Sequence, residues 1–147
     1  MLLDRKLPLP FFKGQPAPGW LVQAVKFLCV GAGNTALDAA LYLLLTRAGG
    51  WLFALPVVAK GFSYGAGMVN SFYWNKTWTF RSARQPGRVF PAFALANLAA
   101  LAANAGVMAF ALSALHLSEA PAFVLATAVS FALNFCLTKF FVFGEAR

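Results

Sequence analysis

Four apolar runs, each closed by polar or basic residues, set the limits on what this chain can fold into. They fall at about residues 21–46, 56–78, 89–115 and 122–143. Roughly 20 apolar residues carry an α-helix across the hydrocarbon layer of a bilayer. The chain is 61% hydrophobic and 11% charged over 147 residues, with a mean hydropathy of +0.70. A soluble domain is about 45–50% apolar and ~25% charged. One buried core cannot absorb that excess, so lipid must be part of the solvent. The sequence predicts an all-α integral membrane protein with four transmembrane helices, arranged as two duplicated hairpins.

Charge then sets the topology. The net charge is +8. In a soluble protein that balance points to nucleic acid. Here the basic residues lie between the apolar runs or near their ends, which points to membrane orientation and anionic lipid, with no nucleic-acid partner. Arg5, Lys6, Lys13, Lys26, Lys76, Arg81, Arg84, Arg88, Lys139 and Arg147 fall on one side of a four-span arrangement, and only Arg47 and Lys60 on the other. The positive-inside rule places both termini and the middle loop in the cytoplasm, in one orientation. Residues 1–20 form a proline-rich basic tail with Phe11, Phe12 and Trp20 as interfacial anchors. The membrane domain occupies 21–147. No signal peptide is expected, because Met1-Leu2-Leu3 is too short for an apolar core of one.

Little here can do covalent chemistry. The chain has one His and four acids. No carboxylate pair and no Ser/His/Asp set is spaced for catalysis, and no zinc spacing is present. The protein is expected not to be an enzyme and to hold neither cofactor nor metal. His116 reads as a loop residue. Cys29 and Cys136 lie in apolar runs and read as reduced, buried packing residues.

Polar groups at membrane depth are more informative, because an ionisable side chain in a span is costly. Asp38 is the clear case. It sits about 8 residues, or ~12 Å, from the end of its helix, and Lys60 enters the next helix from that same side. An ion pair between them is expected. Gly31, Asn34, Thr35, Asp38 and Tyr42 share one helical face that should point inward. Asn34, Asp38, Asn70, Asn97, Ser130 and Asn134 supply a polar path, or else interhelical bonds of ~0.6–2 kcal/mol each. Gly61-x-x-x-Gly65 offers a close-packing surface. Lys26, Lys76, Arg81 and Lys139 sit at the cytoplasmic rim, where cations can hold a phosphate.

One stretch recurs. Ser71-Phe72-x-x-Asn75-Lys76 closes the second run, followed by Trp78, Thr79 and Phe80. Ser130-Phe131-x-x-Asn134, then Lys139-Phe140 and Phe143, closes the fourth, with extra residues before its Lys. Small transporters are commonly built from such duplicated helix pairs. Together with Phe27-x-x-Val30-Gly31-x-x-Asn34-Thr35 in the first run, these motifs resemble the GtrA-like family over about residues 22–143.

The resemblance implies a four-span protein of cell-surface polysaccharide synthesis in the bacterial cytoplasmic membrane, related to the membrane part of some dolichol-phosphate mannose synthases. It implies translocation of a polyprenyl-phosphate-linked sugar. In that reading Lys76, Lys139, Arg81 and Lys26 hold the phosphate, while Trp74, Trp78, Asn75 and Ser71 meet the sugar or first isoprene. Two alternatives stand beside it: a membrane anchor for a partner glycosyltransferase, and a small multidrug-type exporter using Asp38. Four short spans make a thin bundle, which is compatible with a homodimer.

Overall fold

The computed structural model describes residues 18–48 and 55–144. Four α-helices follow one another, and no strand occurs among the described residues. Helix α1 is Gly19–Ala48 and α2 is Pro56–Trp74, continued by a π-helical segment, π1, at Asn75–Thr79. Helix α3 is Pro86–Ser113 and α4 is Glu119–Cys136, continued by π2 at Leu137–Val142. The proline-rich lead, residues 49–54 and the last residues, Glu145 to Arg147, lie outside the described residues.

Local chemistry explains the boundaries. Pro56 and Pro86 sit in the first turns of α2 and α3, where a missing N–H costs nothing. Glu119 occupies the first turn of α4 and complements its dipole. Helix α3 stops at His116, which adopts a left-handed φ of 51°. The Leu117 N–H reaches back to Ala111 O at 3.0 Å across it, a helix-ending arrangement that satisfies a terminal carbonyl. His116 is therefore a stop residue, in keeping with the loop role expected of it.

Among the described residues, three stretches are long and apolar enough to cross a membrane: Gly19–Arg47, Pro86–Ser113 and Glu119–Val142. The fourth, α2, is more polar, because Lys60, Ser63, Asn70 and Ser71 interrupt it. Large apolar side chains such as Leu28, Leu44, Phe62, Leu95, Phe110 and Phe141 are exposed. So much uncovered hydrocarbon suits lipid rather than water.

The chain divides into two compact units, one ending at Thr79 and one beginning at Phe80. In the first, α1 packs on α2. Ala59, Ser63 and Gly67 are buried along α2 at four-residue spacing. A Cβ built on Gly67 would lie 3.1 Å from Asn34 Oδ1, so the small stripe lets α1 come close. In the second unit α3 packs on α4, with Ala122 and Ala126 buried on α4 and Phe93, Ala96 and Ala100 on α3.

These are two copies of one hairpin at a constant offset of 63 residues, which takes Lys76 to Lys139 and Phe80 to Phe143. Pro56, the start of α2, maps to Glu119, the start of α4; Thr79, the end of π1, maps to Val142, the end of π2. Buried Ala59, Ser63 and Val30 map to buried Ala122, Ala126 and Phe93. Helix boundaries and buried positions thus line up in the two units at one offset, with no insertion between them. Asn75 corresponds to Thr138 and Ser71 to Asn134. The physics of that pair is kept while its residues change: Asn75 Nδ2 donates to Ser71 Oγ at 3.2 Å, and Thr138 Oγ1 donates to Asn134 Oδ1 at 3.3 Å.

Three expectations are corrected here. Within the hairpin the close-packing stripe of α2 is Ala59-Ser63-Gly67, so of its glycines only Gly67 packs inside the chain and Gly61-x-x-x-Gly65 is left for a contact between subunits. A Cβ at Gly61 or Gly65 would meet nothing within 4 Å. Cys29 and Cys136 are exposed and free, not buried packing residues. The inward stripe of α1 narrows to Asn34, Asp38 and Tyr42, all partly buried; Gly31 and Thr35 are exposed, and the Thr35 hydroxyl donates to Gly31 O of its own helix.

Candidate functional site

A groove of about 390 Å³ opens on the first unit, lined by Cys29, Val30, Gly33, Asn70, Trp74 and Trp78. Gly33 leaves room on α1, while α2 and π1 supply Asn70 and the two indoles. The wide turn of π1 carries Trp78 at this end of the hairpin; such turns recur at functional sites. Lys26 Nζ lies 5.2 Å from the centre of a Trp78 ring, a contact worth roughly 0.5–2 kcal/mol according to its exposure. Two indoles and one amide thus line one concavity, and a cation lies against one of those indoles.

The equivalent groove of the second unit is lined by Ala92, Leu95, Ala96, Ala99, Leu137, Phe141 and Val142. Ala92, Ala96, Leu137 and Phe141 stand 63 residues after Cys29, Gly33, Trp74 and Trp78. Asn70 has Leu133 as its counterpart and Lys26 has Val89. The hairpin therefore folds with hydrocarbon at these positions. The polar and indole lining of the first groove is not a packing requirement.

A second polar cluster sits farther along the α1–α2 seam. Asp38 Oδ2 accepts from Lys60 Nζ, and Asp38 Oδ1 accepts from Ser63 Oγ at 2.6 Å. The expected ion pair is present. Ser63, buried and bonded to the carboxylate, went unnoticed in the sequence; its place in the small-residue stripe was the available signal. Between this cluster and the groove, Asn34 Oδ1 is buried with no hydrogen-bond partner.

The remaining candidate residues divide by unit. Asn134 Nδ2 donates to Asn97 Oδ1 at 3.2 Å, and Asn97 Nδ2 donates to Phe93 O at 2.9 Å. Asn104 Nδ2 donates to Ser130 Oγ at 3.2 Å. In the second unit the amides are joined to neighbouring groups, so there they tie helices together. Asn75 is buried and donates to the partly exposed Ser71. Its Oδ1 and Thr79 Oγ1 are buried without partners.

Lys76 is half-buried within π1. Lys139 Nζ lies 5.5 Å and 5.4 Å from the ring centres of Phe135 and Phe140 in π2 and its approach. Arg81 is exposed, with a left-handed φ of 50°, where the chain leaves π1. Arg84, expected only as loop charge, has a structural task. Its Nη1 donates to Val142 O at 2.9 Å and Phe141 O at 3.3 Å, satisfying carbonyls at the end of π2.

Two duplicated hairpins of apolar helices, one with a cation–tryptophan groove and polar groups set into its seam, define a helical multi-pass membrane protein. The model of the GtrA/DPMS transmembrane-domain family matches residues 26–143, and the chain belongs to that family. Its class is that of membrane proteins of glycoconjugate synthesis. The chain is also similar to the uncharacterized membrane protein YngA of Bacillus subtilis (strain 168). The two are 41% identical over 76 residues, covering 51% of this chain and 49% of that relative. The match thus spans about half of each protein.

Proposed function

We propose that the protein carries the head group of a polyprenyl-phosphate-linked sugar across the bacterial cytoplasmic membrane for cell-envelope glycosylation. All four helices span in this reading, with both termini in the cytoplasm. The observation that carries it is the contrast between the two grooves. The repeat shows what the hairpin needs in order to pack, and the first groove departs from it by a cation, an amide and two indoles. Those are the groups that a phosphate, a hydroxyl and the apolar face of a sugar ring require. The lipid tail stays among the exposed apolar side chains. Lys26 takes the phosphate, while Trp74 and Trp78 stack on the sugar or first isoprene and Asn70 bonds a hydroxyl. Lys76 in the first unit, and Lys139 and Arg81 in the second, each add positive charge that attracts anionic lipid to its own hairpin.

A liposome assay tests this. The protein is reconstituted with a fluorescent farnesyl-phosphoryl-glucose, and the fraction of probe reached by a membrane-impermeant quencher is followed in time. Lys26→Ala with Trp78→Ala is expected to slow exchange about tenfold or more, the equivalent of ~1.4 kcal/mol. Wild-type exchange no faster than protein-free vesicles would end the carrier reading. The description of the family names a synthase membrane domain, which favours one second reading: an anchor for a glycosyltransferase. Co-purification of a transferase with a protein that moves no lipid is its signature.

A further inference from the structure

The Asp38–Lys60–Ser63 cluster does not line the groove, and the second unit has no charged counterpart of it. Position 38 corresponds to Leu101 and position 60 to Phe123. In the second unit both of these side chains are exposed hydrocarbon, at 58% and 61%, while Ala122 and Ala126 are buried where the first unit buries Ala59 and Ser63. An ion pair at membrane depth is costly, and replacing one by well-packed apolar groups is often neutral or stabilising. Here the ion pair is kept in the first unit, while the second carries apolar side chains at the same two positions.

The cluster is also lopsided. The Lys60 side chain is 54% exposed and that of Asp38 only 18%. The carboxylate is held inside by Ser63, and the ammonium is presented outward, 5.9 Å from the Tyr42 ring centre. Lys26 and Asp38 are 12 residues apart on α1, about 18 Å along its axis. Each end of the α1–α2 seam therefore has a lysine beside an aromatic ring, with Asn34 and Asn70 between them.

We propose that Lys60 is a second anion site, which receives the singly charged phosphodiester of a lipid head group at the end of the seam opposite Lys26. The phosphate replaces Asp38 as the partner of Lys60. Asp38 keeps Ser63 and takes one proton from the adjoining aqueous face, so the cluster stays neutral before and after. Asp38 thus holds an empty Lys60 in place and yields it to the ligand. The inference rests on the carrier reading, because it supplies that reading with a place of arrival.

The test copies the second repeat into the first as Asp38→Leu with Lys60→Phe in the full-length protein. Binding of farnesyl-phosphoryl-glucose is measured at equilibrium, beside the thermal unfolding midpoint. The wild type is expected to bind two equivalents and the double variant one, at an unchanged midpoint. Lys60→Gln, which keeps a donor for Asp38 but no charge, is expected to weaken the second equivalent about tenfold or more. An uncharged farnesyl glucoside should fill neither phosphate site. Competition by inorganic phosphate assigns the site to free anions as well as lipid, and absence of competition assigns it to lipid alone. An unaltered stoichiometry in the double variant overturns the proposal, as does its unfolding, which would make the pair structural. Loss of one bound equivalent in a protein that moves no lipid would leave the site standing and remove the carrier reading.

Discussion

Replacing Gly67 by Ala isolates the closest approach in the first hairpin. The added Cβ would lie 3.1 Å from Asn34 Oδ1, 3.2 Å from Nδ2 and 3.5 Å from the amide carbon. That is an overpacked contact against a partly buried amide, so either Asn34 or the helix must move. Overpacking of this kind costs typically ~1–3 kcal/mol. Ala is the better helix former by about 1 kcal/mol, so Gly67→Ala alone nets between zero and about 2 kcal/mol of destabilisation. A double-mutant cycle removes the propensity term. With Asn34→Ala as the second arm, the coupling should be at least ~1 kcal/mol, and Asn34→Ala should relieve the cost of Gly67→Ala. Gly61→Ala is the control: nothing lies within 4 Å of its added methyl, so it should be neutral or stabilising. The measurement is reversible unfolding in mixed micelles as denaturing detergent is raised. If Gly67→Ala behaves like Gly61→Ala, with no coupling to Asn34, the assigned seam is wrong.

Two further outcomes test other parts of the structure. Asn134→Leu should cost about 0.6 kcal/mol, the typical worth of an interhelical bond in a membrane, and leave lipid exchange in the liposome assay unaltered; a large loss of exchange would restore the second unit's amides to the path. Arg84→Ala should free the Phe141 and Val142 carbonyls and speed hydrogen exchange of the Phe143 amide, which bonds Thr138 O at 2.9 Å, with global stability falling by about 1 kcal/mol.

The apolar runs made the fold legible because membrane helices announce themselves by length and hydropathy. Runs starting at about 21, 56, 89 and 122 anticipated helices that begin at Gly19, Pro56, Pro86 and Glu119. The Asp38–Lys60 pair was legible for a related reason: charges in a span must find each other. The register of the repeat was not. Matching letters, Ser-Phe-x-x-Asn against Ser-Phe-x-x-Asn, forced an insertion. The hairpin instead conserves a bond four residues long, which Asn75 makes with Ser71 and Thr138 with Asn134. Ser63 hid for a similar reason, because a small residue in a packing stripe looks the same whether or not its hydroxyl is used. Arg84 could not be separated from other loop cations, since its carbonyl partners lie 57 and 58 residues away. The groove itself needed the hairpin to be closed, because Cys29 and Gly33 become its wall only when α2 brings Trp74 and Trp78 beside them.

The wide turn that ends the first hairpin has a mechanical consequence. A π turn holds one residue more than the α-helical ladder around it would use. Were Asn75–Thr79 to relax to ordinary helical geometry, every residue after the slip would rotate about 100° around the axis. Trp78 would swing off Lys26 and out of the concavity, while Phe72 and the stripe of Ala59, Ser63 and Gly67 stayed put. A single slipped rung would then be enough to release whatever the indole had been covering, with neither helix moving as a body.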